Sequence, residues 1–255
     1  MSDQYSKIAK ESRIKCLELV FKAQTSHIGS LFSCADILAV LFEKIDLNKD
    51  RFILSAGWKA CMLYFHLWRK GRITEEELNS YCQEGSKFIG LVEPMNRWGL
   101  RFAGGSMGYG LPAAVGFALS KKLKGEEGKV YVLMSDGEMQ CGTTWESALI
   151  AAHHKLDNLV VIVDDNKFQA MGKTEEILNS EFPYVGWVRS SVDGHNYIDL
   201  ETILSGPTAK GKPGLIIAHT IKGKGVSFME NDNLYHYKNL DEEEYNLALK
   251  ELNGL

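Results

Sequence analysis

Between residues 3 and 23, apolar side chains fall at Ile8, Ile14, Leu17 and Val20 with charges between them, the spacing of a helix that buries one face. A short loop is expected over 24–32, carrying His27 and Gly29. Ser33 with Asp36 three residues on resembles a capping-box start, and Ile37, Leu38, Val40 and Leu41 supply the core face of the helix it opens. Residues 51–55 read as a short strand ending at Ala56-Gly57, and 58–68 as a helix. Thr74 followed by Glu75, Glu76 and Glu77 marks a further helix start. From 85 to 110 the chain has Gly and Pro but little periodicity. That predicts a long loop, and long loops inside compact domains usually carry function. Its end, Gly104 to Gly110, meets a helix with Pro112 near its start, as helix N-termini allow.

Three uninterrupted apolar runs follow, at 130–134, 159–163 and 215–218. Runs without polar alternation suit strands covered on both faces. Helical segments separate them, notably 143–154. Strand and helix in alternation predict an α/β fold, a doubly wound parallel sheet with helices on both faces and right-handed crossovers. No internal repeat, low-complexity segment or composition break divides the chain, so 1–255 reads as a single domain. Such sheets bind ligands beyond the carboxyl ends of their strands, which makes the residues following each strand the first candidates.

Composition narrows the class. The chain has 255 residues, 45% hydrophobic and 24% charged, with a net charge of −4. That is ordinary for a globular protein, and no basic face for nucleic acid is forced. The five cysteines, Cys16, Cys34, Cys61, Cys82 and Cys141, are scattered with no CxxC pair. A disulfide framework or zinc site is not expected, and a reducing, cytoplasmic setting is. The polar N-terminus does not read as a secretory signal, and no apolar run is long enough to span a membrane.

Two strand ends carry the chemistry. Ser135-Asp136-Gly137-Glu138 follows the first apolar run and Asp164-Asp165-Asn166 the next, about one β-α-β unit apart. A carboxylate and an amide oxygen brought together suit a hard cation such as Mg²⁺, which completes its octahedron with phosphate oxygens and water. Gly137 lets backbone approach an anion, and the helix start after it offers free N–H groups. Either residue alone reads as a capping Asp or a turn Asn; the pair in this context reads as a metal site.

At this point the chain resembles the transketolase family. The stretch SDGEMQCGTTWESALIAAHHKLDNLVVIVDDNKFQAMG is similar to the thiamine-diphosphate fingerprint, which opens Gly-Asp-Gly and closes on Asn some 30 residues later. TSHIGSLFSCADIL, DRFILSAGWKACMLY, GGSMGYGLPAAVGFAL, DGHNYIDL and HTIKGKGVSFMEN resemble further blocks of that family, in order. The resemblance implies the thiamin diphosphate-binding fold, with thiamine diphosphate and Mg²⁺ as cofactors. It makes Asp136, Asn166 and the Phe168 carbonyl metal ligands. Gly137 N–H would hold the diphosphate, with Glu138 and Trp58 beside it, and Gly105 and Met107 would offer backbone groups near the aminopyrimidine. His27 and His236 would be the catalytic, substrate-facing histidines. His195 reads as structural, His153 and His154 as surface, and His66 and His219 as core or helix residues.

The chain matches only the first third of a full-length transketolase. The resemblance therefore implies that the pyrimidine-binding domain lies on a separate C-terminal partner subunit. It also implies self-association into a dimer or an α2β2 heterotetramer. The expected reaction is transfer of a two-carbon unit between small-molecule substrates, from a ketose or 2-oxo acid donor to an aldehyde acceptor. Neither nucleic acid nor membrane is expected as a partner.

The departures from the family pattern cluster in the site. Ser135 replaces the usual Gly, Trp58 a histidine, Leu91 the histidine of a Gly-His-Pro-Glu block, and Cys141 the Glu of a Glu-Gly pair. They leave cofactor binding intact. They fit either a less hydroxylated donor or a non-catalytic, regulatory subunit. The glycine-rich stretch 104–110 lacks the GxGxxG spacing of a nicotinamide enzyme.

Overall fold

The computed structural model describes residues 2–95, 99–174 and 184–254. The chain opens with helix α1 (Ser2–Ala23), then α2 (Ile28–Ser33) and α3 (Ala35–Lys44), before strand β1 (Arg51–Leu54). A 3-10 turn, Gly57–Lys59, leads into α4 (Ala60–Arg69), and α5 (Glu75–Asn79) follows. After the long loop come α6 (Gly110–Lys124), β2 (Val130–Ser135), a 3-10 turn (Asp136–Gln140), α7 (Gly142–His153) and β3 (Leu159–Asp165). A small antiparallel pair, β4 (Phe168–Gln169) and β5 (Gly172–Lys173), precedes β6 (Val188–Asp193), α8 (Tyr197–Ser205) and β7 (Gly214–His219). A 3-10 turn, Asn233–His236, and α9 (Glu242–Gly254) complete the described chain.

The five main strands form one parallel sheet in the order β1-β2-β3-β7-β6. Neighbouring residues of a strand face opposite ways, and the two cores follow that alternation. Val130, Val132 and Met134 pack with Leu111 and Ala114 of α6 and Ala148 of α7. Tyr131 and Leu133 pack on the other side with Leu17, Leu38 and Leu63 from α1, α3 and α4. Each such aliphatic side chain contributes roughly 1.5–3 kcal/mol when fully buried. The sheet is therefore clad on both faces, as the apolar runs predict.

Four local expectations need correction. The segment read as a loop to residue 32 folds into α2 from Ile28. Ser33 does not cap α3, whose N-cap is Cys34 without a side-chain bond. Ser33 instead bonds Ser30 O and Asp164, and Asp36 pairs with Arg13 at 2.5 Å. β6 is an edge strand whose polar alternation, Val-Arg-Ser-Ser-Val-Asp, hid it from a search for apolar runs. His219 is not a core residue. It ends β7 half-exposed, bonded to Asp165 at 2.6 Å and Ser191 at 2.7 Å. The capping box at Thr74 forms in full, with Glu77 bonding back to the Thr74 N–H.

His66 is buried on α4, stacked on Phe42, with its Nε2 unpartnered. Burial, followed by the Arg69 and Lys70 charges, holds it down to about 3 from 6.5. At pH 5 native His66 is neutral while the unfolded imidazole is largely protonated. The unfolded state then binds more protons, so stability is fully present above pH ~6.5 and falls as pH drops toward the native value. Urea unfolding at pH 7.5 and pH 5 should show this loss, and His66→Leu should reduce it. Equal losses in the two proteins would contradict a neutral, buried His66.

Candidate functional site

The carboxyl ends of β1, β2, β3 and β7 meet at one edge of the sheet, and Ser135 lies opposite Asp164 in register. A cavity of about 280 Å³ opens there. It is lined by His27 and Ser30 from the start of α2, Trp58 and Lys59 after β1, and Gly105 and Met107 from the long loop. Gly137 and Asn166 follow from the ends of β2 and β3, Phe168 opens β4, and His236 comes from the 3-10 turn 233–236. Most of the residues singled out from the sequence thus converge on one space. Asp136 and Glu138 lie behind it.

Asp136 is 1% exposed. Its Oδ1 accepts from Gly137 N at 2.9 Å and its Oδ2 from the Thr174 hydroxyl at 2.7 Å. Burial, partly opposed by the Thr174 hydroxyl and reinforced by Asp164 and Asp165, pushes its carboxyl up to about 6. The three carboxylates differ in how they are compensated. Asp164 is paired with the fully buried Lys59, and Asp165 with Lys167 and His219. Among the described residues Asp136 has no cation in direct contact. Asn166, 3% exposed, donates from Nδ2 to Ser33 Oγ at 3.2 Å, which turns Oδ1 toward the Phe168 backbone, where it accepts from Phe168 N at 3.1 Å.

A buried carboxylate, an amide oxygen and a backbone carbonyl, the oxygen types of Asp136, Asn166 and Phe168, are donors suited to one hard cation. Among the described residues no cluster of three or more His, Cys, Asp or Glu side chains is arranged as a metal site. The oxygen set above is the metal candidate, and it fits Mg²⁺. Gly137 keeps the floor open: a Cβ there would sit 3.2 Å from Met107 Cε and 3.3 Å from Gln169 Cβ.

Three groups assigned to the cofactor have partners within the protein. Glu138 faces away from the cavity and is fully buried. Its carboxylate accepts from the Ser55 hydroxyl, Gly108 N at 3.1 Å and Ser135 N at 2.9 Å. It ties the glycine-rich loop to the ends of β1 and β2, so it shapes the site without touching a ligand. Gly137 N–H is turned onto Asp136 rather than into the cavity, and the helix start expected after it is a 3-10 turn. Gly105 N–H is likewise committed to Ser55 O at 3.2 Å. Leu91, placed by the sequence at a substrate-contacting position, does not line the cavity. It is 43% exposed and lies where a Gly105 Cβ would meet it at 3.0 Å.

The sequence missed two cations. Lys59 is 0% exposed, and its Asp164 partner also accepts from Ser33 at 2.5 Å and from Thr220. Lys222 Nζ bonds His236 Nδ1 at 2.9 Å and Asn233 Oδ1 at 2.7 Å and lies 5.4 Å from the Phe168 ring centroid. Burial is the main cause lowering Lys222 to about 8. His27 and His236 are each held down to about 4, by burial first and then by Lys222. Their rings lie 5.0 Å apart. His195, as expected, is structural: Nδ1 meets Asp36 at 2.6 Å and Nε2 accepts from Ile221 N at 2.8 Å. It thereby pins the backbone next to Lys222. His153 and His154 are on the surface, as expected.

Comparison with known proteins gives the family. The family model described as "Transketolase, thiamine diphosphate binding domain" matches residues 4–254. An apulose-4-phosphate transketolase subunit of Phocaeicola vulgatus is 34% identical, over 96% of this chain and 92% of its own length. A 6-deoxy-6-sulfo-D-fructose transketolase subunit of Clostridium sp. is 34% identical, over 92% of this chain and 91% of its own. The solved transketolase of Campylobacter jejuni superposes with a TM-score of 0.88 at 30% identity, and the match covers 98% of this chain but 43% of that one. The chain thus spans less than half the length of that solved enzyme. It belongs to the transketolase family and corresponds to its thiamine diphosphate binding domain.

Proposed function

We propose that this chain is the N-terminal subunit of a split, thiamine-diphosphate- and Mg²⁺-dependent transketolase-like enzyme. It transfers a two-carbon unit from a ketose or 2-oxo acid donor to an aldehyde acceptor. The observation that carries this reading is the buried Asp136, its carboxyl raised chiefly by burial, directly behind the cavity wall that Gly137, Asn166 and Phe168 form. Asp136, Asn166 and the Phe168 carbonyl would hold Mg²⁺ against the diphosphate. Thiamine diphosphate, when bound, supplies the carbanion chemistry of carbon–carbon bond exchange. The protein's share is placement and charge: Lys222 and Lys59 set the cationic environment, Trp58 walls the cavity, and neutral His27 and His236 face the substrate.

The other half of the active site is assigned to a separate C-terminal, pyrimidine-binding subunit. The rim carries exposed apolar side chains, among them Met107 at 41%, Met171 at 90% and Tyr237 at 60%. Such a rim is suited to cover by a partner, and an obligate interface of this kind buries upward of ~2,000 Å². The pair would self-associate into a dimer or an α2β2 heterotetramer. Both relatives named above carry the word subunit in their names, which fits a protein that works with a second chain.

Purified chain should show no two-carbon transfer alone. Mixed with its partner it should turn over a ketose phosphate or pyruvate at a rate of order ~10 s⁻¹, followed by mass of the product. Turnover by the chain rigorously free of partner would overturn the split reading. A reconstituted pair that binds cofactor yet transfers nothing from any donor would favour a non-catalytic role, the reading to which the substitutions at Trp58 and Cys141 also point.

A further inference from the structure

The two cavity histidines are held alike. Each has its Nδ1 engaged by a neighbour: His27 by the Ser26 hydroxyl at 2.8 Å, and His236 by Lys222 Nζ at 2.9 Å. Neither Nε2 has a protein partner among the described residues, and both rings line the cavity. For His236 the tautomer follows from chemistry. An ammonium only donates, so Nδ1 accepts and the ring proton sits on Nε2.

We propose that Ser26 does for His27 what Lys222 does for His236. Its hydroxyl donates to Nδ1 and fixes the neutral ring as the Nε2–H tautomer, so that the cavity presents two N–H donors to a substrate oxygen. Ser26 Oγ has no other protein partner among the described residues. Donation to Nδ1 therefore satisfies the hydroxyl proton and the ring lone pair together, whereas the reverse bond leaves the hydroxyl proton unpaired within the protein. The backbone supports this placement. His27 sits in the left-handed region at φ 73, unusual for a residue with a β-carbon, and its N–H is held by the His236 carbonyl at 3.1 Å. The two rings are thus positioned through one shared backbone contact, tilted by 60° to one another. An oxygen with two lone pairs can accept from both. Ser26 is a positioning residue: it acts through His27 and is absent from the cavity wall.

Only the identity of that oxygen, a donor or acceptor carbonyl, rests on the transketolase reading; the tautomer is a property of this chain. The test therefore has two arms. In the first, ¹⁵N-labelled chain is studied alone at pH 7.5 by long-range ¹H–¹⁵N correlation, with His27 assigned through His27→Gln. His27 should carry its proton on Nε2. Ser26→Thr should keep that signature, and Ser26→Ala should shift the population toward the Nδ1–H form. In the second arm, the pair reconstituted with its partner should lose roughly 10–100-fold in kcat with Ser26→Ala, at little changed KM, and regain most of it with Ser26→Thr. A wild-type His27 protonated on Nδ1 would overturn the assignment, as would an Ala variant with unaltered tautomer and kcat. A correct tautomer in a pair that transfers no two-carbon unit would sink the function proposed above and leave this assignment standing.

Discussion

Asp136→Asn is expected to abolish Mg²⁺-dependent binding of thiamine diphosphate while leaving the fold intact. The amide keeps the shape of the carboxylate, still accepts from Gly137 N and can donate to the Thr174 hydroxyl, so the local bonds survive. What is lost is the negative charge that would hold the cation. The protein without cofactor should be as stable as wild type or slightly more so, because Asp136 is a buried carboxylate that no cation among the described residues contacts. The opposite should hold in the presence of cofactor. Wild type at a hundredfold excess over Kd gains about 2.7 kcal/mol, and the variant should gain almost none of it. Changing a residue that only supports a metal ligand typically costs 10–100-fold in affinity, so loss of a ligand should cost at least ~100-fold. Calorimetry with unchanged cofactor affinity in this variant would remove Asp136 from the metal site.

Lys59→Met should be the most damaging single substitution away from the cofactor's own ligands. Lys59 and Asp164 are both 0% exposed and paired. Removing the ammonium leaves a buried carboxylate facing, among the described residues, hydroxyl donors from Ser33 and Thr220. Breaking a buried pair in this way costs about 3–5 kcal/mol, a large fraction of the 5–15 kcal/mol that holds a typical domain. The companion Lys59→Met/Asp164→Asn should recover most of the loss, because the amide still accepts from Thr220 and carries no charge to desolvate. Urea unfolding of the three proteins decides it. A double variant as unstable as Lys59→Met would mean that the ammonium itself, not the stranded carboxylate, holds this corner together. The pair also supports function: Ser33, bonded to Asp164, is the group that orients the Asn166 amide.

The parts of this fold legible in the sequence are those where one physical demand dominates. β2, β3 and β7 are covered on both faces, so their residues are apolar without interruption, and the runs mark them. β6 sits at the sheet edge with one polar face, and nothing in Val-Arg-Ser-Ser-Val-Asp announces a strand. At the site, the residues that belong to the family fingerprint could be read: Asn166, His27 and His236 line one cavity, and Asp136 lies behind it. Lys59 and Lys222 could not. A single lysine in a turn reads as a solvated cation until the fold places Asp164 or His236 beside it, 105 and 14 residues away respectively. Glu138 shows the converse. Its place in the fingerprint suggested the diphosphate, but three donors from separate segments occupy its carboxylate. Ser33 with Asp36 matched a capping box in spacing only, because Arg13, His195 and Tyr197 draw Asp36 into a buried network instead.

The account stands or falls on where the cation sits. Mn²⁺ takes the same oxygen ligands as Mg²⁺ and can be located by anomalous diffraction from crystals of the chain, with its partner, grown with thiamine diphosphate. The expected map has one strong peak per chain at the carboxyl ends of β2 and β3, bonded to an Asp136 oxygen, Asn166 Oδ1 and the Phe168 carbonyl, with diphosphate oxygens completing its shell over Gly137. A peak bonded to Asp164 or Asp165 in place of Asp136, or a diphosphate bound outside this cavity, would contradict it.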